Sequence, residues 1–186
     1  MPSARVTTLL AVLVLVGAGY LFFFEGRLES TDQHRQGEGR VLRVSADDVR
    51  RIKIRRDAWT SALVERVDGH AFRLVEPVEG PVDAALVLKL LSELEFLKSR
   101  GELAGADEAA RASYGLRPAQ LEVDLETGDG GELRVSFGNA PPVGGGVYLA
   151  VEGQGVVHVV TKRAFAAASE LLDRSTGAEK DKEEQR

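Results

Sequence analysis

The sequence predicts an α+β domain, antiparallel β-hairpins with helices packed on one face, behind an N-terminal transmembrane helix. Three observations point there. An uncharged apolar run opens the chain, apolar residues then alternate at period two in several short segments, and two stretches switch to a spacing of three or four. The 186 residues, 44% hydrophobic and 28% charged, suit one modest domain with attachments. A domain of about 130 to 150 residues buries roughly two thirds of its unfolded surface and needs no staple. With no cysteine in the chain, thiol nucleophiles, thiolate metal sites and disulfides are excluded. The net charge of -5 argues against a nucleic-acid binder, which presents a basic field to phosphates.

The first segment, residues 1–24, is the anchor. Val6 to Phe24 reads VTTLLAVLVLVGAGYLFFF, nineteen uncharged residues, which as a helix at about 1.5 Å per residue span the ~30 Å of a bilayer core. Signal cleavage after Ala18 would leave Tyr20 to Phe24 exposed on the product, so an uncleaved anchor is the favoured reading. Two orientations stay open. Arg27, Arg35, Arg40 and Arg43 follow the run and would hold the domain inside, but long domains translocate largely regardless of such a count. Residues 25–40 are polar and read as a flexible linker, 41–174 as the folded domain, and 175–186 (STGAEKDKEEQR) as a disordered charged tail.

Within the domain, Ser45-Ala46-Asp47-Asp48 has the form of a capping box over one helical turn. A strand follows with Ile52 and Ile54 on one face. Strands at Ala62–Val67 and Ala71–Glu76 flank Asp68-Gly69, a tight-turn pair, and Pro77 ends the run. From the N-cap Asp83 to Lys98 the period changes, with Val87, Leu90, Leu91, Leu94 and Leu97 on one stripe of the main core helix. A shorter helix, Asp107 to Tyr114, stops at Gly115 with Pro118 beyond it. Alternation then returns in Leu121, Val123 and Leu125, and after the turn Gly128–Gly131 in Leu133, Val135 and Phe137. Val147–Val151 and Val156–Val160 form a further pair, and Lys162 to Arg174 is the last helix, with Phe165, Ala168 and Leu172 on one side. The two halves share an order of hairpins and then a helix.

Catalytic and cofactor motifs are the next test. The glycine-rich stretch GNAPPVGGGVYLAVEGQG resembles a phosphate cradle in composition, but Gly144 to Gly146 lead into an alternating β-branched run, with no lysine or helix at the required distance. It reads as a hairpin loop. His34, His70 and His158 are scattered, without an HExxH pattern, so no metal or cofactor is expected. No GxSxG elbow occurs, and a serine triad would have to be assembled in space. Asp47 with Asp48, and Glu76 with Glu79, read as capping and surface groups rather than an acid–base pair. The strongest local anomaly is Arg50-Arg51-Ile52-Lys53-Ile54-Arg55-Arg56. It is either a contact for anionic lipid or polymer or, as favoured, the wet face of a strand balanced by Glu65 and Glu76. Arg51, Lys53, Arg55, Trp59 and Tyr148 are the candidate contact residues.

The motifs VRRIKIRR, DGHAFRLVEPVEGPVDAALVLKLLSELEFLKS and ASYGLRPAQLEVDLETGDGGELRVSFGNAPPVGGGVYLAVEGQGVVHVV, behind an apolar N-terminus, resemble the bacterial domain-of-unknown-function family DUF4340. The recognisable points are Leu74-Val75-Glu76-Pro77, Asp83, Tyr114-Gly115-Leu116 with Pro118, and Tyr148; Phe72 stands where members commonly have tryptophan. The resemblance implies a membrane-anchored component beside gliding-motility-type ABC transporters, with its domain outside the cytoplasmic (inner) membrane, and carries no catalytic residues over. The expectation is therefore a single-pass, non-enzymatic envelope protein whose partners are the membrane and an ABC transporter or other envelope protein. A module that binds an envelope polymer or lipid is the alternative.

Overall fold

The computed structural model describes residues 39–183, and side chains as far as Gly177. The expected anchor (1–24) and nearly all of the expected linker (25–40) lie outside the described residues. Among the described residues no helix is long and apolar enough to cross a membrane.

The chain forms β1 (Val49–Arg55), β2 (Ser61–Asp68), β3 (Ala71–Glu76), β4 (Gly80–Pro81), α1 (Ala84–Glu95), β5 (Gly101–Ala104), α2 (Glu108–Ser113), β6 (Leu121–Thr127), β7 (Glu132–Phe137), β8 (Val147–Val151), β9 (Val156–Val160) and α3 (Arg163–Glu183). The strands make one nine-stranded antiparallel sheet in the order β4-β3-β2-β1-β6-β7-β8-β9-β5. That order reads the same outward from the β1–β6 seam. Each half is a four-strand meander closed by a helix, α1 after β4 and α3 after β9, which is the repeated order legible in the sequence. β5 breaks the pattern by adding to the outside of β9.

Alternation decides the faces, because successive side chains of a strand point to opposite sides. Ile52, Ile54, Val64, Leu74, Val123, Leu125, Val135 and Phe137 turn to one side and are buried. α1 and α3 pack against each other and cover that side, with Val87, Leu90, Leu91 and Leu94 from α1 and Ala164, Ala167, Ala168, Leu171 and Leu172 from α3 joining the same cluster. The short alanine side chains let α3 lie close to what it covers. Phe165 meets Phe137 edge-on, with ring centroids 5.9 Å apart. Asp83 caps α1, its carboxylate accepting from the Ala85 N–H at 2.9 Å.

Four details differ from the sequence expectation. The segment that carries α2 lies on the other face: Leu116 is buried with Ala150 and Val157, and Ala106, Tyr114, Leu103 and Tyr148 pack around them. Helices on one face therefore describes α1 and α3 only. Second, the turn at 45–48 is closed by the backbone, Asp48 N–H to Ser45 C=O at 3.1 Å, rather than by the side chains of a capping box, and the expected strand β1 follows at once. Third, α1 ends at Glu95, short of Lys98, although Leu97 stays buried. Fourth, α3 continues past Arg174 to Glu183. Ser175 is buried there and the Thr176 hydroxyl donates to the Leu172 carbonyl at 2.9 Å, so docking of the next turn extends a segment whose polar composition suggested a tail. Alanine, glutamate and lysine, which dominate its end, are strong helix formers.

Candidate interaction surface

The basic run occupies β1, and pairing on both sides fixes what its cations meet. Arg51 stands opposite Glu65 of β2 and Glu126 of β6, and Lys53 and Arg55 stand opposite Asp124 and Glu122. The side chains complete these pairs. Arg51 reaches Glu65 at 3.0 Å and Glu126 at 3.3 Å, Lys53 reaches Glu76 at 3.6 Å, and Arg55 reaches Glu122 at 2.8 Å and Asp124 at 3.2 Å. Hydrogen bonds from Arg51, then Arg73, hold the Glu65 carboxyl below the usual carboxylate range. Arg134 extends the lattice by gripping Asp124 at 2.6 Å. The strand is thus the middle of a salt-linked face rather than a free positive patch.

Trp59 lies in the β1–β2 loop and is 94% exposed. The loop beneath it is well tied. Asp57 accepts from the Trp59 N–H at 2.8 Å, the Thr60 N–H at 2.7 Å and the Thr60 hydroxyl at 3.0 Å. These bonds, the one from Trp59 N–H first, pull the Asp57 pKa down. Arg56 anchors the same loop to α3 through Asp173 at 2.8 Å. An aromatic ring is therefore presented to solvent from a backbone that does not need to reorganise.

Tyr148 has a different setting. Its ring lies 4.5 Å from the ring of Tyr114, half-buried on the face that carries α2. Around it, Asn139 N–H donates to Tyr114 C=O at 2.7 Å, Tyr148 N–H to Asn139 C=O at 3.0 Å, and Gly138 N–H to Tyr148 C=O at 2.8 Å. Gly138 must be glycine, since a Cβ there would meet the Tyr114 carbonyl. Gly115 has φ +69°, and its Cβ would fall 2.5 Å from Asn139 Oδ1. Tyr114-Gly115-Leu116 and Tyr148, separate in sequence, form one packed knot. The glycine stretch beside it behaves as a chain reversal: Gly144, Gly145 and Gly146 all have positive φ and run into β8 rather than a helix.

Spacing could not show that the fold brings a serine to a histidine. His158 on β9 is buried, with Nδ1 3.2 Å from Ser99 Oγ and Nε2 3.2 Å from Gln154 Oε1. A nucleophilic triad needs hydroxyl and carboxylate on opposite ring nitrogens. Here the nearest carboxylate, Glu102, lies 3.8 Å from Nδ1, the nitrogen that already faces Ser99. The Ser99 hydroxyl also donates to Gly101 C=O at 2.9 Å. Burial lowers the His158 pKa, with Glu102 opposing. The cluster ties β5 to β9. Among the described residues no group of three or more histidine, aspartate or glutamate side chains could hold a metal ion.

The fold and surface define an α+β domain built on one antiparallel sheet, with a salt-linked outer face and a projecting tryptophan. Residues 73–175, more than half of the 186, match the family described as Domain of unknown function (DUF4340), and the chain belongs to that family. The match opens within β3, so β1, β2 and Trp59 precede it. No curated protein and no solved structure matches the chain.

Proposed function

We propose that this protein is a non-enzymatic interaction module of the cell envelope, held by its N-terminal apolar segment in the inner membrane with its domain outside, and accessory to an ABC-type transport system. The observation that supports it best is Trp59, almost wholly exposed on a loop fixed through Asp57 and Arg56. Tryptophan dominates the energetics of protein interfaces, and a loop already ordered has little entropy to lose on binding. The transporter association is carried over from the sequence resemblance to membrane-anchored components beside gliding-motility-type ABC transporters. The alternative, anionic polymer or lipid on β1, has less behind it, because Arg51, Lys53 and Arg55 are already paired with carboxylates.

Affinity capture of the full-length chain from crosslinked membranes tests the proposal. Wild type is expected to recover a transporter component, and Trp59→Ala to recover about tenfold less, the scale of an interface anchor. Equal recovery by both would remove Trp59 from the interface, and recovery of no transporter component would remove the association.

A further inference from the structure

A cleft of about 610 Å³ lies between the segment that leads into β1 and the β6–β7 hairpin. Arg43 and Arg50 line it, and neither makes an ion pair with any described residue, in contrast to the arginines of the neighbouring salt-linked face. The hairpin makes room for one of them. Gly128 does not have a positive φ, so its backbone would accept a side chain. The space would not: a Cβ at Gly128 would sit 3.1 Å from Arg50 Nε, and the missing side chain lets that guanidinium arm lie across the hairpin. Two cations are thus held at the cleft without the carboxylate partners that solvent-facing arginines elsewhere on this sheet possess.

The rest of the lining narrows the ligand. Asp48 and Glu132 face the same cleft as the arginines, and Val44 and Leu133 add apolar wall. Asp129 is already engaged, accepting from the Thr127 hydroxyl at 2.5 Å and the Gly131 N–H at 3.1 Å, which lowers its pKa. A dianion such as phosphate would gain the guanidinium groups but meet the carboxylates, and like charge at short range is costly. A molecule with separated charges meets both. Its carboxylate would take the arginines in the forked geometry that guanidinium favours, and its ammonium would take Asp48 or Glu132. The volume falls within the ~300–1,000 Å³ of small-molecule sites.

We propose that this cleft is a binding site for a small zwitterion, an amino acid or short peptide with free ends, whose carboxylate is held by Arg43 and Arg50. Calorimetric titration of the full-length chain in detergent with trialanine tests it. Saturable binding is expected, about tenfold weaker when the peptide carboxyl end is amidated and about tenfold weaker for Arg50→Glu. Gly128→Ala, which displaces Arg50 without removing it, is expected to weaken binding severalfold with the thermal midpoint kept within a few degrees; should Arg50→Glu fail to fold, Arg50→Gln replaces it. Trp59→Ala is expected to bind trialanine as wild type does, which separates this site from the partner surface. The proposal is overturned by an absence of saturable heat, by Arg50 variants that bind as wild type, or by inorganic phosphate binding as tightly as trialanine.

Discussion

Arg66 carries a full positive charge into the interior and meets only neutral groups there. Its Nε donates to Val49 C=O at 2.8 Å and its Nη2 to Ala46 C=O at 2.7 Å, a third bond reaches Gly69 C=O, and the guanidinium lies 4.6 Å over the Phe72 ring. It thereby ties the turn before β1 to the β2–β3 hairpin. Arg66→Ala strips these carbonyls of their donor and is expected to cost about 2–4 kcal/mol by urea denaturation. Trp59→Ala touches only solvent and the loop surface, so its stability should stay within about 0.5 kcal/mol of wild type in the same measurement. Alternation along β2 places Arg66 on the same side as Ala62 and Val64, yet the sequence cannot distinguish a buried arginine met by carbonyls from a break in the apolar pattern. His158 gives a pH signature. Its folded pKa lies below the ordinary 6.5, so the unfolded chain takes up a proton first as the solution is acidified. Stability from this group is complete above about pH 6.5 and declines as pH falls from there toward the lower folded value. The thermal midpoint of His158→Gln is expected to vary less with pH across that window than that of wild type.

At the scale of elements, the longer strands of the two meanders were legible, most of them because alternation of apolar residues with charges is a direct imprint of a half-buried sheet. β4 and β5 were not, and the reason is length. A two-residue Gly-Pro strand and the four residues Gly101-Glu102-Leu103-Ala104 are too short to show a period, and both exist because a neighbour offers a free edge. The contact residues divide in the same way. Arg51, Lys53 and Arg55 were legible as one face of a strand with Glu65 and Glu76 opposite, whereas the Glu122, Asp124 and Glu126 side of the lattice depends on β6 lying beside β1, which no local pattern announces. The knot around Tyr148 likewise needs the α2 segment to cross to the outer face. Gly115→Ala should damage that knot twice, through φ +69° and through the Asn139 side chain. The expected loss is about 1–3 kcal/mol, read as earlier unfolding in urea, with local protection from hydrogen exchange falling first around residues 112–116.

For the molecule as a whole, the β1–β6 seam matters most, because the first strand of each half pairs with the other half's first strand and both helices share one cluster. The halves should not melt separately. Unfolding of the described domain followed by far-ultraviolet and near-ultraviolet circular dichroism is expected to give coincident curves, and two resolved transitions would show the halves to be independent. The margins of the sheet are less alike than its centre. One side finishes in β4, whose Pro81 has no N–H to offer a further strand, and the other in β5, whose four residues begin with a glycine. An extended chain arriving from outside is refused at the first margin by chemistry and has only a short footing at the second. At high protein concentration this economy of backbone donors keeps the sheets of neighbouring copies from fusing into larger ones.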